Sequence, residues 1–210
     1  RLYTYLDSAG ADVYYKLPSR DDDGYGLSET AVDLMAAKGV SLIVTVDNGV
    51  SANAAIAHAK EQGVDVVVTD HHLPPQTLPE AAAIVNPQLP GDESPCKTLS
   101  GAGVAFKLAA ALDGCTPDEM LPFYGDLAAI GTIADIMLLE GENRRIVKAG
   151  LALLQQTERP GIAALIEACG LGGKELTAEN VSFGLAPRLN AAGRMDSACL
   201  LYTSPSPRDC

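Results

Sequence analysis

The chain has 210 residues, of which 47% are hydrophobic and 20% charged, and this length can bury the core of one domain with an appendage. Its formal net charge of −12 argues against a generally basic nucleic-acid-binding surface, because neutralising phosphates requires clustered Lys and Arg. It contains no apolar run long enough to span a bilayer, no signal-peptide layout and no CxxC spacing among its five cysteines, so we expect a cytoplasmic protein with reduced thiols.

The first half of the chain alternates between predicted helices and strands. Ser28 is a typical helix N-cap and Gly39 a typical residue just past a helix end. The alternation predicts an α/β fold, in which a parallel sheet with right-handed crossovers is flanked by helices. The predicted elements are helix 2–8, strand 12–17, helix 28–38, strand 42–46, helix 51–62, strand 64–69, strand 82–85 and helix 100–112.

The second half is predicted to be helical. Asp118 is the predicted cap of a helical region in which Asp126 and Asp135 bracket an almost wholly apolar segment. An acid in such a segment needs a partner or a metal, because an unpaired buried carboxylate is costly. Amphipathic helices are predicted over residues 142–156 and 160–168.

Three regions follow from these patterns. We expect an α/β core over residues 1–140 and a helical appendage over residues 141–198 that leads to an interdomain helix. Residues 199–210 carry Ser-Pro repeats that break the preceding pattern, and we interpret them as a non-native tail.

Acids and histidines follow two apolar strands. Asp47 ends the first, and Asp70, His71 and His72 end the second. In parallel sheets ligands collect beyond the carboxyl ends of strands, so these side chains should lie together. Imidazole shifts the preference of a carboxylate site towards transition ions, so Asp47, His71, His72 and Asp135 favour Mn²⁺ or a Mn²⁺/Mg²⁺ pair. His58 is interpreted as an exposed helix residue.

Two further segments have the composition of phosphate sites. Ser100 and Gly101 open a helix whose free backbone N–H groups could hold an anion, although small residues there also suit tight helix packing. Arg188, Asn190 and Arg194 gather two cations and an amide around small residues, which suits phosphate binding or, alternatively, a surface loop.

The motifs together resemble those of a known family. Thr69-Asp70-His71-His72 is similar to the signature of the DHH phosphoesterases. Residues 45–49 resemble the acidic motif that precedes this signature in the family, and residues 126–135 resemble its fourth motif. Three further stretches resemble the branch of bacterial exonucleases that degrade single-stranded DNA from 5′ to 3′: Arg20 with residues 24–27, residues 100–107 and residues 187–194. The whole resemblance covers residues 1 to about 198.

The resemblance implies a metal-dependent exonuclease of DNA repair and recombination that hydrolyses phosphodiesters with metal-activated water, using two Mn²⁺ or Mg²⁺ ions. Asp47, His71 and Asp135 would be metal ligands, and Asp70 and His72 catalytic residues, with His72 contacting the metal or the substrate phosphate. The partners would be single-stranded DNA and a single-strand-binding protein or a helicase. The implied nucleic-acid and phosphate contacts are Arg20, Ser100, Gly101, Arg188, Asn190 and Arg194.

The chain departs from the family pattern at both ends. The family's first motif, an Asp-x-Asp-x-Asp-Gly strand end, is not matched, and neither are its second domain and nucleic-acid-binding barrel. We therefore expect a fragment with weak or no activity. Two alternatives stay open: a phosphoesterase of the same family acting on short oligonucleotides, cyclic dinucleotides or pyrophosphate, and a non-catalytic interaction module.

Overall fold

The computed structural model describes residues 2–17 and 26–195, with side chains as far as residue 191. The chain divides into two compact units, residues 1–114 and residues 115–210. This division lies before a long helix that packs against the next one, whereas the sequence prediction placed the boundary after that long helix, at residue 140. The predicted tail over residues 199–210 lies outside the described residues.

The first unit is built on a three-stranded parallel sheet whose strands lie side by side in chain order, flanked by helices, which confirms the predicted α/β class. Its apolar core is formed by the middle strand and the helices beside it, and it includes Val32, Ile56 and Val68. The elements are α1 (Leu2–Ser8), α2 (Glu29–Ala37), β1 (Leu42–Val46), α3 (Asn53–Glu61), β2 (Asp65–Thr69), β3 (Ala83–Val85) and α4 (Gly101–Asp113).

The register of the sheet aligns the carboxyl ends of its strands. Val46, the last residue of β1, pairs with Thr69, the last residue of β2, and Thr69 also pairs with Val85 at the end of β3. Residues that follow β1 and β2 therefore leave the sheet at the same level, as a site at this edge requires.

The predicted strand over residues 12–17 is wrong, because residues 11–17 adopt no regular structure. Tyr15 packs edge-on against Tyr3 with ring centroids 5.3 Å apart, and the Lys38 ammonium lies 5.3 Å from the centroid of the Tyr14 ring. Aromatic side chains favour strands only where a neighbouring strand receives them. Here they contact residues of α1 and the end of α2 instead.

The second unit is helical where the structure describes it. Its core includes Ala129, Leu154 and Leu185. Thr116, not Asp118, is the N-cap of its first helix, where its side chain and that of Glu119 form a reciprocal capping box. The elements are α5 (Pro117–Ala134), α6 (Gly141–Gln155), α7 (Pro160–Ala168), α8 (Ala178–Asn180), a π-helical turn (Val181–Leu185) and α9 (Ala186–Met195). Among the described residues, none of these helices or those of the first unit combines the length and apolar character that a bilayer span requires.

The segment that carries Arg188 is helical, so the alternative of a surface loop is wrong. The π-helical turn lies just before Pro187, whose ring would clash with the carbonyl four residues earlier in a regular helix. Arg188 Nη1 donates a hydrogen bond of 2.9 Å to the Gly184 carbonyl within that turn.

Asp126 is buried, as its apolar surroundings predicted, and its partner is an arginine. Arg159 Nε donates to Asp126 Oδ2 over 2.6 Å, and Arg159 Nη2 donates to the Phe123 carbonyl over 2.7 Å. The guanidinium thus ties the start of α7 to the middle of α5 and neutralises the buried carboxylate.

His58 has an acidic partner that helical spacing within α3 could not reveal. Its Nε2 lies 2.7 Å from Asp33 Oδ1 on α2. The hydrogen bond with Asp33 raises the pKa of His58, which burial opposes and the charges of Asp33, Glu29 and Glu61 support.

A pH dependence follows from this pair. Because the pKa of His58 is raised in the folded state, the stabilisation it provides is fully present below the ordinary histidine pKa and is lost as the pH rises through the folded value. Asp33→Asn should therefore lower the free energy of unfolding more at about pH 5.5 than at about pH 8.5. Urea unfolding at both pH values measures the difference, and an NMR titration of the His58 ring should show a lower pKa in the variant. An unchanged His58 titration would contradict the prediction.

Candidate metal centre

Three side chains that are able to bind a metal ion, which we call the ligand group, lie together beyond the carboxyl ends of β1 and β2. Asp47 follows β1, His71 and His72 follow β2, and one ligand atom from each lies within 4.8 Å of the others. His71 Nε2 is 3.0 Å from Asp47 Oδ1. The His71 side chain is only 8% exposed, whereas those of Asp47 and His72 are 54% and 58% exposed. The group is therefore anchored on its inner side and open to solvent on its outer side.

The turn after β1 is held by two buried threonines. Thr69 Oγ1 donates to the Thr45 carbonyl and Thr45 Oγ1 donates to the Asn48 carbonyl, each over 2.6 Å. The Asp47 N–H donates to the Thr69 carbonyl over 3.0 Å. Asp47 itself has a φ of 65°, a left-handed conformation that Asp tolerates better than most residues. This local geometry turns the chain sharply and fixes the base of the Asp47 side chain.

Gly49 completes the turn. Its φ is 110°, and a Cβ atom built on it would lie 2.5 Å from Thr45 Oγ1. From the sequence, Thr45, Gly49 and Thr69 are identified only as members of the motifs that contain them, with no structural role of their own. The sequence pattern that indicates this role is a threonine near the end of each strand, shortly before the acid that follows the strand.

The side chain of Asp70 connects the segment after β1 with the segment after β2. Its side chain is 1% exposed. Oδ2 accepts a hydrogen bond of 3.0 Å from the Val50 N–H, and Oδ1 accepts from the N–H groups of His71 and His72 over 2.8 and 3.2 Å. His72 Nδ1 also lies 2.6 Å from Oδ1. The structure therefore places Asp70 behind the histidines, where it orients His72.

Burial and hydrogen bonding shift the pKa of Asp70 in opposite directions. Burial alone would raise the pKa of this carboxyl, but the hydrogen bonds from the Val50 N–H, the His72 ring and the two histidine N–H groups outweigh it, so the pKa lies below its ordinary value. Asp70 is accordingly a carboxylate, which is the form that accepts all four contacts.

The donor set fits a divalent metal ion. Asp47 contributes carboxylate oxygen, and His71 and His72 contribute imidazole nitrogen. Such mixed oxygen and nitrogen sites suit Mn²⁺ and similar transition ions. A buried imidazole facing a carboxylate across 3.0 Å is an arrangement that an ion between the two groups would stabilise.

Asp135 belongs to the second unit and is described within it. It is the exposed C-cap of α5, and Ile136 after it has a φ of 55°. The buried Asn143 supports the loop that follows, because its Nδ2 donates to the Leu138 carbonyl over 2.9 Å. The role of Asp135 as a metal ligand stays a prediction.

The predicted phosphate contacts that the structure describes belong to two units of the chain. Ser100 is buried and caps α4, where its Oγ accepts a hydrogen bond of 3.0 Å from the Gly103 N–H, and Gly101 is the first residue of that helix. In the second unit, Arg188 and Asn190 are exposed on α9. The side chain of Arg194 and all of Arg20 lie outside the described residues. The phosphate-binding roles of this set stay predictions.

Comparisons with known proteins agree with the predicted resemblance. The model of the DHH family, N-terminal domain, matches residues 1–132. The single-stranded-DNA-specific exonuclease RecJ of Bacillus subtilis is 49% identical over 193 residues, covering 92% of this chain and 24% of that protein. RecJ of Salmonella typhimurium is 46% identical over 204 residues, covering 91% of this chain and 35% of that protein.

Solved structures are similar as well. A crystal structure of exonuclease RecJ bound to manganese has a TM-score of 0.82 and 39% identity, covering 95% of this chain and 50% of that one. RecJ of Thermus thermophilus in complex with Mn²⁺ has a TM-score of 0.78 and 37% identity, covering 97% of this chain and 30% of that one. This chain spans only 24% to 35% of the length of the two curated relatives described above. The match over residues 1–132, with the ligand group at the ends of β1 and β2, shows that the chain belongs to the DHH family.

Proposed function

We propose that this chain is the catalytic part of a metal-dependent exonuclease that degrades single-stranded DNA from 5′ to 3′. The observation that carries the proposal is the group of Asp47, His71 and His72, whose ligand atoms lie within 4.8 Å of one another at the edge of a parallel sheet. The relatives support the substrate, because those of Bacillus subtilis and Salmonella typhimurium are named as single-stranded-DNA-specific exonucleases. The related structures that hold Mn²⁺ or Mg²⁺ support either ion as the cofactor.

His71 lies on the nearly buried side of the ligand group, whereas Asp47 and His72 lie on its exposed side. A divalent ion bound here would supply Lewis-acid activation of water and of the phosphodiester. Asp47 and His71 would hold the ion, His71 from a nearly buried position and Asp47 from the turn after β1. Asp70 fixes the ring of His72 through Nδ1, which leaves Nε2 as the ring nitrogen that would contact the ion or the substrate phosphate. His72 is more than half exposed, so a phosphate can approach it from solvent.

Substrate binding must come from local groups, since the net charge is −12. Arg188 and Asn190 on α9, Arg20, Arg194 and the start of α4 at Ser100 and Gly101 are the proposed phosphate contacts. Asp135 is a proposed further ligand. A single-strand-binding protein or a helicase is the proposed partner, in DNA repair and recombination in the cytoplasm.

The test is release of nucleotides from 5′-phosphorylated single-stranded DNA with Mn²⁺, assayed for the chain as given and for the chain extended at both ends to the length of its relatives. We expect Mn²⁺-dependent release by the extended chain that chelation abolishes, and weak or no release by the chain alone. Blocking the 5′ end of the strand should stop release, whereas blocking the 3′ end should not. An extended chain without activity would contradict the proposal.

A second substrate class is favoured by the acidic balance of the chain, because short substrates need fewer compensating cations. It comprises short oligonucleotides, cyclic dinucleotides and pyrophosphate. Comparing hydrolysis of a dinucleotide with that of a long single strand separates the two classes, and a strong preference for the dinucleotide would replace the exonuclease assignment.

A further inference from the structure

The first residue of α4 lies against the side chain of Asp47. A Cβ atom built on Gly101 would lie 2.5 Å from Asp47 Cγ and 2.6 Å from Asp47 Cβ, with Oδ1 closer still. Real Cβ atoms essentially never approach other heavy atoms this closely. Gly101 has no positive φ, so the requirement for glycine here comes from this contact and not from its backbone conformation.

Asp47 has little freedom to move away from such an atom. Rotation about its first side-chain torsion would displace Cγ and the carboxylate but would leave Cβ in place, still 2.6 Å from the added atom. The backbone at Asp47 is held in turn by its N–H bond to the Thr69 carbonyl and by its left-handed φ. The start of α4 is held by the buried cap Ser100. A side chain at position 101 must therefore displace the Asp47 carboxylate, the turn or the helix.

We propose that Gly101 is a positioning residue for the metal centre: its lack of a side chain lets α4 begin against Asp47 and keeps that carboxylate 3.0 Å from His71 Nε2. This inference rests on the proposed function, because the placement matters through the ion that Asp47 and His71 would hold. It gives Gly101 a role different from the phosphate contact that the sequence predicted.

The chain offers a matched control two residues along the same helix. A Cβ atom on Gly103 would lie 3.0 Å from Leu99 Cδ2, the end of a flexible side chain that can shift. Gly101→Ala and Gly103→Ala introduce the same methyl group into the first turn of α4. Only the methyl group of Gly101→Ala would contact a residue of the ligand group, Asp47.

The experiment measures Mn²⁺ affinity by calorimetry and the His71 ring chemical shifts without metal. Gly101→Ala should weaken Mn²⁺ binding at least about tenfold and shift the His71 resonances, because displacement of a ligand or its support costs about 10- to 100-fold in affinity. Gly103→Ala should bind Mn²⁺ within about twofold of wild type. Equal losses in both variants, or wild-type binding and wild-type His71 resonances in Gly101→Ala, would overturn the proposal.

The same substitution in an Asp47→Gly variant tests the inference even if Gly101→Ala alone does not fold. Asp47→Gly removes the atoms that the new methyl group would meet and accepts the left-handed φ. In that background Gly101→Ala should cause no further loss of Mn²⁺ affinity, and it should fold even if Gly101→Ala alone does not. Failure of the double variant to fold would overturn the inference. If wild type binds no Mn²⁺, the proposed function fails, and the His71 resonances alone decide the placement.

Discussion

His71→Ala is expected to weaken Mn²⁺ binding, and the proposed Mn²⁺-dependent nuclease activity of the chain extended at both ends, by at least about 100-fold. His71 is the most deeply buried of the three ligand side chains, at 8% exposed, and it faces Asp47 across 3.0 Å. Removing its imidazole deletes the inner anchor of the group and leaves Asp47 and His72, both more than half exposed, to hold the ion. Calorimetric titration with Mn²⁺ and the single-strand assay measure the two losses.

The matched control is His58→Ala. It removes the same ring from the pair with Asp33 on α2 and α3, so Mn²⁺ affinity should stay within about twofold of wild type. If His71→Ala bound Mn²⁺ as tightly as His58→Ala does, the ligand group would not be the metal centre.

Asp70→Asn is expected to lower the free energy of unfolding by about 3 kcal/mol. Asp70 is 1% exposed, and its two oxygens accept from three backbone N–H groups while Oδ1 also contacts the His72 ring. The variant replaces one oxygen with an NH₂ group that must face a donor, so a buried N–H loses its acceptor. Urea unfolding with metal removed, followed through amide resonances of β1 and β2, measures the change.

Asp65→Asn is the control for this loss. Asp65 is exposed at the amino end of β2, so the same substitution there should change the free energy of unfolding by less than about 0.5 kcal/mol. Equal effects at positions 65 and 70 would show that Asp70 does not join the two strand ends as the structure indicates.

The fold was predictable where local signals and tertiary packing agree. The caps at Ser28 and Gly39 and the apolar runs before Asp47 and Asp70 predicted helices and parallel strands that the structure contains. The parallel sheet then brings Asp47, His71 and His72 together, as expected, because strands that run in the same direction end at the same edge.

The remaining features depend on partners distant in sequence. Residues 11–17 have strand-forming side chains but pair with no strand among the residues that the structure describes. Asp126 needed a partner, and no spacing could show that it would be Arg159. The contact of Gly101 with Asp47 likewise depends on where α4 begins relative to the sheet, which no local pattern specifies.

The buried carboxylate of Asp70 also couples the ligand loops to the cooperative opening of the sheet. The amide hydrogens of Val50, His71 and His72 all bond to that one side chain, although they lie outside the strands. These three amides should exchange with solvent deuterium only when β1 and β2 separate, whereas loop amides usually exchange through small local fluctuations. The loops that carry Asp47, His71 and His72 thus share the lifetime of the core, so an ion that binds there would meet a site that is already assembled.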